Sequence, residues 1–457
     1  MKKKLVAVFM AAVMTVGVTA CGGSGEKQTS GTNAQNAGEE TLAAGTETAK
    51  TEETGNSEEA LEVVIWDTNQ QAGLQEICDL FTAETGIKAE VQVKDWDSYW
   101  TLLEAGASGG DMPDVFWMHS NNSQMYMNND ILLKLDDYIA ASDKIDMNNY
   151  MPEITELYTW NGSYYAIPKD YDTIALWYNK TMFDEAGIAY PDATWTWDDF
   201  YDAAVALTKE DGSQYGFAIN PGNDQDTYYN MVYSMGGHIV SEDHKTSGYD
   251  DENTLRAMEF VGKLIDNACP NTTTMSETGT DVLMQSGTVA MITQGSWMTA
   301  GFMQNEYMVE NCDVAILPYD AVTGKRASLC NGLGWAAYAG TDRPDECFQL
   351  LEWFGSKEMQ LKQAELGVTM SAYNNTSDAW VNCTDKFNLQ PYLDVTAEKT
   401  GDAANELVLR PYTYNSTMWS TAATSKLVSA WADTSTMRQT CIDFAKEMNT
   451  MIANENY

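Results

Sequence analysis

The sequence has few basic residues and few histidines for its length, and these shortages exclude several classes of function. Its 457 residues contain 26 Lys and Arg against 67 Asp and Glu, which gives a formal charge of −41. The electrostatic field of this negative charge repels phosphate backbones and anionic lipid, so we predict no nucleic-acid partner. Only His119, His238 and His244 are present, and the last two have no ligands beside them at metal spacing. We therefore predict no metal site and no cofactor.

Long apolar runs are missing after the N-terminus. Three lysines precede the apolar run 5–18, which is too short for a spanning helix, so residues 1–20 are interpreted as an export signal. Residues 18–22 (VTACG) resemble the lipobox of bacterial lipoproteins, which predicts lipidation of Cys21; an ordinary cleaved signal is the alternative. The lipid would be the only membrane anchor, and the protein would lie on the outer face of the cell membrane, extracellular or periplasmic.

Residues 21–60 contain no aromatic side chain and one aliphatic side chain larger than alanine, Leu42. Because so little apolar surface cannot offset the entropy of ordering, we predict a disordered tether. Its excess of glutamate over lysine makes it self-repelling and extended.

Cysteine pairs at motif spacing are also absent. No C-x-x-C motif occurs, and an odd number of cysteines follows the signal, so they cannot all form disulfides within the chain. Buried thiols are therefore the favoured interpretation. Cys269 with Cys312 is the disulfide to test first. The cysteines after the signal are Cys78, Cys269, Cys312, Cys330, Cys347, Cys383 and Cys441.

From residue 61 the spacing of the apolar residues alternates between a period of two residues, typical of strands, and one of 3.6 residues, typical of helices. Residues 61–66 indicate a buried strand, and a helix follows that Gly86 ends. A second strand is predicted over 87–93, a short helix over 99–105 and a third strand over 115–117. This order is typical of an α/β sheet.

Such sheets bind ligands at the carboxyl ends of their strands. Trp66 ends the first predicted strand, and Asp67 and Asn69 follow it; Trp117 ends the third predicted strand, and His119 follows it. We predict that these side chains form the rim of a binding site, with His119 as a hydroxyl partner.

Further along the chain, Pro168 excludes a helix and residues 174–178 favour a strand, which leaves a polar elbow at 169–173. Thr196 with Asp199 three positions later predicts a capped helix.

Several segments, in this order, resemble the extracellular solute-binding proteins of ABC sugar importers of the maltose-binding type. The matching segments are 112–117 (MPDVFW), 178–187 (YNKTMFDEAG), 194–197 (TWTW), 287–297 (GTVAMITQGSW), 317–318 (LP), 345–354 (DECFQLLEWF) and 358–360 (EMQ).

This resemblance implies an α/β fold, the two-lobe periplasmic-binding-protein fold, with three interlobe crossings and a ligand cleft. Domain closure around a hinge is a known motion of this class of protein, so the resemblance also implies that the cleft closes on its ligand. The implied boundaries are 61–168 and 334–370 for lobe 1, 174–330 and 374–457 for lobe 2, and 169–173, 331–333 and 371–373 for the hinge.

A sugar needs a flat aromatic against its C–H face and bidentate polar groups around its hydroxyls. The resemblance places stacking rings at Trp117 and at Trp297, which follows Gly295; core packing is the alternative for both rings and for Trp66. Asp170, Tyr171 and Asp172 lie in the elbow, where a solvated acidic turn is the alternative. The remaining candidates are Trp335, Arg410, Tyr412 and Trp419.

The resemblance implies a non-enzymatic protein that captures a sugar, predicted to be an oligosaccharide, and delivers it as a monomer to ABC transporter permease subunits. Residues 106–110 fit G-x-S-x-G but lack the strand-turn-helix context of a nucleophile, so no catalytic residue is predicted. A glycoside hydrolase and a polyamine or cation binder of the same fold stay open as alternatives.

Overall fold

The computed structural model describes residues 59–455. The predicted signal at 1–20, Cys21 and nearly all of the predicted tether lie outside the described residues. Within the described part of the chain, no helix combines the length and the apolar character needed to span a bilayer.

The described residues form thirteen strands and nineteen α-helices. The strands are β1 Leu61–Ile65, β2 Ala89–Val93, β3 Val115–Met118, β4 Thr159–Trp160, β5 Ser163–Tyr164, β6 Ile167–Pro168, β7 Ile174–Asn179, β8 Met291–Gly295, β9 Cys312–Ala315, β10 Lys325–Cys330, β11 Gly334–Ala337, β12 Lys399–Thr400 and β13 Ala403–Leu409.

The helices follow the same chain order, with short 3-10 helices at Met147–Asn149, Ser296–Met298 and Thr434–Thr436. They are α1 Thr68–Thr85, α2 Trp96–Gly109, α3 Ser120–Asn128, α4 Asp136–Ala141, α5 Pro152–Leu157, α6 Lys180–Ala186, α7 Trp197–Ala206, α8 Tyr228–Ser234, α9 Glu252–Ala268, α10 Thr272–Thr278, α11 Thr280–Gln285, α12 Thr299–Phe302, α13 Glu306–Asn311, α14 Pro344–Gly355, α15 Lys357–Glu365, α16 Ser377–Val381, α17 Gln390–Asp394, α18 Ser416–Ala432 and α19 Met437–Ala453.

The first sheet has the strand order β2-β1-β3-β11-β6. Strands β2, β1 and β3 run parallel, and β11 returns antiparallel beside β3 with Trp335 opposite Trp117. Because α1 and α2 connect the parallel strands, the strand-helix-strand-helix-strand order predicted from residue 61 is confirmed. The carboxyl ends of three parallel strands therefore meet at one edge of this sheet.

Helix α1 ends where the sequence predicts, at Gly86, whose φ of 78° lies in the left-handed region. Helix α2 is longer than predicted: it begins at Trp96, because the side chain of Asp95 accepts a hydrogen bond from the backbone N–H of Ser98. Helix α7 starts with the predicted capping box of Thr196 and Asp199.

The other strands form a second group of sheets. Strand β7 lies between β8 and β9, antiparallel to both, and its six residues are buried. Strand β10 pairs in parallel with β13, which also pairs with β12, and β4 with β5 forms a short hairpin.

Three chain segments run side by side between the first sheet and these other sheets. Asp172 pairs with Asn331, and Asp170 pairs with Ser371. A β-carbon at Gly332 would lie 2.1 Å from the carbonyl oxygen of Asp170, so this close approach of two backbones requires glycine. These pairs join the segments that the sequence predicts as the three crossings.

Candidate ligand-binding site

The candidate site begins at the carboxyl edge of the parallel strands, where each strand is followed by a helix cap. Asp67 caps α1 and follows β1, Asp95 caps α2 and follows β2, and His119 caps α3 and follows β3. Because a cap fixes the direction in which its helix leaves the sheet, these residues orient the side chains of the first helical turns.

A cavity of about 880 Å³ opens at this edge. Residues from the first sheet, from the crossings, from the loop 222–225 and from α18 line it. They are Trp66, Asp67, Gln70, Trp96, Asp97, Trp100, Thr101, Glu104, Trp117, His119, Asn121, Asn122, Asp170, Asp172, Gly222, Asn223, Asp224, Gln225, Trp297, Met298, Asn331, Leu333, Thr369, Arg410, Thr417, Ser420, Thr421 and Thr424.

Three tryptophans form an aromatic wall on one side of the cavity. The ring centroid of Trp66 lies 5.1 Å from that of Trp96 and 6.2 Å from that of Trp100. Trp96 and Trp100 are four residues apart on α2, so they share one face of the helix. The side chain of Trp96 is 45% exposed, which leaves ring surface available to a ligand.

Trp117 lies beneath this wall and does not provide a stacking face, which corrects the role predicted for it. Its side chain is 0% exposed. The ring of Trp66 packs edge-on against it at 4.8 Å, and the ammonium group of Lys169 lies 4.5 Å from its ring centroid. The central position of β3 in the sheet explains why both faces of this ring are covered.

Trp297 follows β8 and is partly exposed in the cavity wall. Its ring lies directly over Gly295, where an added β-carbon would be 1.9 Å from Cζ3 of the ring. Gly295 does not line the cavity itself. Because it has no side chain, it leaves the space that the ring of Trp297 occupies.

Arg410 connects two sides of the buried end of the cavity. Its Nη1 lies 2.7 Å from Oδ1 of Asp224, and its Nε donates to Oδ1 of Asn121 at 2.9 Å. Both charged side chains are more than nine-tenths buried. Removing either partner would leave a buried charge without compensation.

Asp172 and Asn331 link two of the crossings beside this ion pair. Oδ1 of Asp172 accepts hydrogen bonds from Nε2 of Gln225 at 2.6 Å and from the backbone N–H of Asn331 at 3.2 Å. Burial, and then the nearby charge of Asp170, raises the pKa of Asp172 well above its ordinary value. A protonated Asp172 can both donate to and accept from a hydroxyl group.

His119 is neutral at physiological pH. Burial, with a smaller contribution from the charge of Arg410, lowers the pKa of His119 to about 3. Its Nδ1 accepts from the backbone N–H of Asn121, so the proton of the neutral ring is on Nε2, 3.1 Å from the side-chain amide of Asn331. The Nε2–H group donates a hydrogen bond to Asn331 when the amide oxygen, and not the amide nitrogen, faces the ring.

Lys169 supports the site from behind without lining it. Its ammonium group is buried and donates to Oε1 of Gln70 at 3.0 Å and to Oδ2 of Asp170 at 2.5 Å. Burial lowers the pKa of Lys169, and the charge of Asp170 opposes this change. The other oxygen of Asp170 accepts from the backbone N–H of Leu333, which fixes this carboxylate at the cavity.

The raised pKa of Asp172 gives a testable pH dependence of stability. Ionisation of Asp172 opposes folding, and this cost is absent below the unfolded-state pKa of about 3.9 and grows as pH rises towards the folded-state value. Asn cannot ionise, and its oxygen keeps the acceptor for Gln225. We therefore expect Asp172→Asn to have the melting temperature of the wild type at pH 4 and a higher one at pH 7. The gain in the free energy of unfolding should be at most about 1.4 kcal/mol for each pH unit above the unfolded-state pKa. Thermal denaturation that shows the variant less stable at pH 7 contradicts this.

Eight of the fourteen residues predicted for the site lie in the cavity wall. They are Trp66, Asp67, Trp117, His119, Asp170, Asp172, Trp297 and Arg410. Of these, Trp117 lies behind Trp66, as described above.

The other six lie outside the cavity wall, and each has a different neighbour. Asn69 packs against Gly301 at a second cavity, Tyr171 is hydrogen-bonded to Ser377, Gly295 lies beneath Trp297, Trp335 stacks on Phe354 with centroids 4.1 Å apart, Tyr412 packs against His244, and Trp419 donates to Thr413. Trp335 and Trp419 are in the interior because they lie on a central strand and on the buried face of a helix.

Sequence reasoning missed three parts of the wall. Trp96 and Trp100 were detectable, because two tryptophans four residues apart behind the cap Asp95 indicate an aromatic helix face. The α18 residues that line the cavity also follow helical spacing, but Ser and Thr are common throughout this region of the sequence, so these positions gave no distinct signal. Asn223 to Gln225 lie in an irregular loop whose position no local pattern predicts.

The described residues contain no group of three or more His, Cys, Asp and Glu side chains arranged to hold a metal ion. All seven cysteines of the described part are thiols, so the Cys269–Cys312 disulfide proposed for testing is not formed in this structure. Burial raises the pKa of Cys269 and of Cys312, the latter to about 12, which makes these thiols unreactive.

Comparison with known proteins agrees with this architecture. The family model for bacterial extracellular solute-binding proteins matches residues 66–361. The lactose-binding protein of Rhizobium radiobacter is 23% identical over 319 residues, which cover 66% of this chain and 72% of the relative.

Solved structures extend the similarity over the described body. An ABC substrate-binding protein from Listeria monocytogenes in complex with cycloalternan has a TM-score of 0.78 at 19% identity and covers 87% of this chain and 99% of its own. A solute-binding protein of an ABC transporter from Thermotoga lettingae, bound with α-D-tagatose, has a TM-score of 0.74 at 20% identity, with coverages of 86% and 99%.

At these identities the solved structures establish the fold, and the α/β two-lobe fold predicted from the sequence is confirmed. The family match spans well over half of the chain. The chain therefore belongs to the family of bacterial extracellular solute-binding proteins.

Proposed function

We propose that this protein binds a carbohydrate outside the cell, without changing it chemically, and delivers it to the permease subunits of an ABC transporter. The observation that carries this proposal is the pairing of an aromatic wall with a buried polar end in one cavity of about 880 Å³. Trp66, Trp96 and Trp100 offer ring surface for the C–H face of a sugar. Asp172, Gln225 and Asn331 offer planar groups for its hydroxyls.

The named relatives support a sugar as the ligand. They include a lactose-binding protein and solute-binding proteins that hold cycloalternan and α-D-tagatose. The volume of the cavity suits more than one sugar unit, and we propose an oligosaccharide.

A polyamine or another cation is a weaker candidate, because the deep carboxylates are already compensated. Asp170 is paired with Lys169, Asp224 is paired with Arg410, and burial favours the protonated form of Asp172. A multiply charged amine bound there would have to displace these internal partners.

A glycoside hydrolase needs one carboxylic acid and one carboxylate placed on either side of a glycosidic bond. The ion pairs of Asp170 and Asp224 hold both carboxylates in contact with cations instead of with a substrate. We therefore propose that the cavity binds without catalysis.

The paired segments near Asp170, Asn331 and Ser371 support the proposed domain organisation, in which 169–173, 331–333 and 371–373 are the crossings on which two lobes close. For the remainder of the chain we propose a cleaved signal at 1–20, lipidation of Cys21 and a tether that holds a monomer at the outer face of the membrane.

A melting-shift screen tests the proposed function. A ligand stabilises the folded state by RT ln(1 + [L]/Kd), which is about 2.7 kcal/mol at 100 times Kd. We expect neutral mono- and oligosaccharides to include sugars that raise the melting temperature, and spermidine to leave it unchanged. The shifts should not depend on salt, because a neutral ligand has no charge to screen.

The same samples also test for turnover. Bound sugars should be recovered intact, with no new reducing ends after prolonged incubation. A shift with spermidine that disappears with salt would support the cation binder, and new reducing ends would establish the hydrolase.

A further inference from the structure

The cavity has a buried end and an exposed end of different chemistry. Arg410, Asp224, Gln225 and Asn331, at the buried end, are each less than 9% exposed. The exposed end is bordered by two helices, α2 and α18, and we name this region the outer slot. Its side chains are exposed or partly exposed.

Each helix presents one stripe of side chains to the outer slot. On α2 the stripe contains Trp96, Asp97, Trp100 and Glu104, and on α18 it runs from Thr417 through Thr421 to Thr424. Seven positions on a helix span about 10 Å, which is longer than one six-membered sugar ring. The slot is therefore long enough to hold more than one ring.

The α18 stripe supplies hydrogen-bond acceptors. The hydroxyl of Ser420 donates to the carbonyl of Thr417 at 3.3 Å, and that of Thr424 donates to the carbonyl of Ser420 at 3.2 Å. Because their protons are used within the helix, the lone pairs of these hydroxyls can accept from sugar hydroxyls.

The α2 stripe supplies ring surface and charge of one sign. Trp100 packs against Trp66 in the aromatic wall, and Asp97 and Glu104 are exposed acceptors on either side of it. Among the described residues that line the cavity, Arg410 is the one Lys or Arg side chain, and it lies at the buried end. The outer slot thus suits neutral units rich in hydroxyls and repels acidic units.

We propose that the buried end binds one terminal unit of a neutral oligosaccharide and that the outer slot binds the following units, so that the slot sets the preference for chain length. This inference rests on the proposed function. It assigns stacking to the tryptophans of α2 and weaker hydrogen bonding to the hydroxyls of α18.

The test is calorimetric titration of the full chain with glucose, maltose and maltotriose, with galactose, lactose and 3′-galactosyl-lactose, and with xylose, xylobiose and xylotriose. In the series that binds, the trisaccharide should bind at least about tenfold more tightly than the monosaccharide. Trp96→Ala should reduce this ratio by about tenfold, and Ser420→Ala combined with Thr421→Ala should reduce it by about twofold to fivefold.

Two matched controls lie outside the cavity wall. Tyr190, which is 40% exposed, is the control ring for Trp96, and Ser425, exposed on α18, is the control hydroxyl for Ser420. Tyr190→Ala and Ser425→Ala should keep the trisaccharide-to-monosaccharide ratio of the wild type.

The outcomes separate this inference from the proposed function. A monosaccharide that binds as tightly as its trisaccharide, or a Trp96→Ala variant that keeps the wild-type ratio, overturns the outer slot and leaves sugar capture intact. The absence of binding to every sugar of the three series overturns both.

Discussion

Replacing Arg410 by methionine is expected to lower the free energy of unfolding by about 3–5 kcal/mol, the range for removing one partner of a buried ion pair. Nη1 of Arg410 lies 2.7 Å from Oδ1 of Asp224 and compensates the charge of this carboxylate. The guanidinium group also donates to Asn121 on the other side of the cavity. Methionine fills most of the volume but leaves the carboxylate of Asp224 buried and unpaired. Urea denaturation at pH 7 measures the loss.

Two further variants separate this electrostatic explanation from a packing defect. Asp224→Asn added to Arg410→Met removes the unpaired charge, so the double variant should be more stable than the single variant. Arg438→Met breaks an exposed pair with Glu252 and should change stability far less. A loss below about 1 kcal/mol for Arg410→Met, or no recovery in the double variant, contradicts the explanation.

Gly295→Ala is expected to weaken sugar binding by about tenfold or more, although the residue itself cannot touch a ligand. Its β-carbon would lie 1.9 Å from Cζ3 of Trp297, so the indole must leave its position. The backbone of Gly295 has an ordinary extended conformation, with φ −77° and ψ 156°, so alanine adds no backbone strain. Calorimetric titration with the best sugar of the melting screen measures the effect.

A double-mutant cycle identifies the cause. If Gly295 acts only through Trp297, then Gly295→Ala added to Trp297→Ala should cost no further affinity. Gly109→Ala is the control, because nothing lies within 4 Å of its added β-carbon, and it should bind as the wild type does. If the losses of affinity caused by Gly295→Ala and Trp297→Ala are additive, Gly295 does not act through Trp297.

The parts of the fold that local patterns determine were predictable from the sequence. The strands β1 to β3 and the helix α1 have clear apolar periodicity, and Gly86 and Thr196 mark helix ends through their own backbone and side-chain chemistry. The beginning of α2 was misplaced, because Trp96, its first residue, lines the cavity and does not join the apolar core.

The site was predictable in part, for a related reason. Asp67 and His119 follow from the rule that parallel strands place their carboxyl ends at one edge. Whether a tryptophan stacks on a ligand or fills the core depends on tertiary neighbours: Lys169 and Trp66 cover Trp117, and Phe354 covers Trp335. The pairing of Arg410 with Asp224 spans 186 residues of sequence, and no local pattern selects it among 67 acidic residues.

We expect this cavity to capture an intact sugar between the aromatic wall and the buried polar end. The decisive test is a crystal structure of the chain with the sugar that gives the largest melting shift. We expect an uncleaved sugar in the cavity, with a ring against Trp66, Trp96 or Trp100 and hydroxyls within hydrogen-bond distance of Asp172 or Gln225. A sugar bound elsewhere on the protein, or a cleaved product in the cavity, would contradict it.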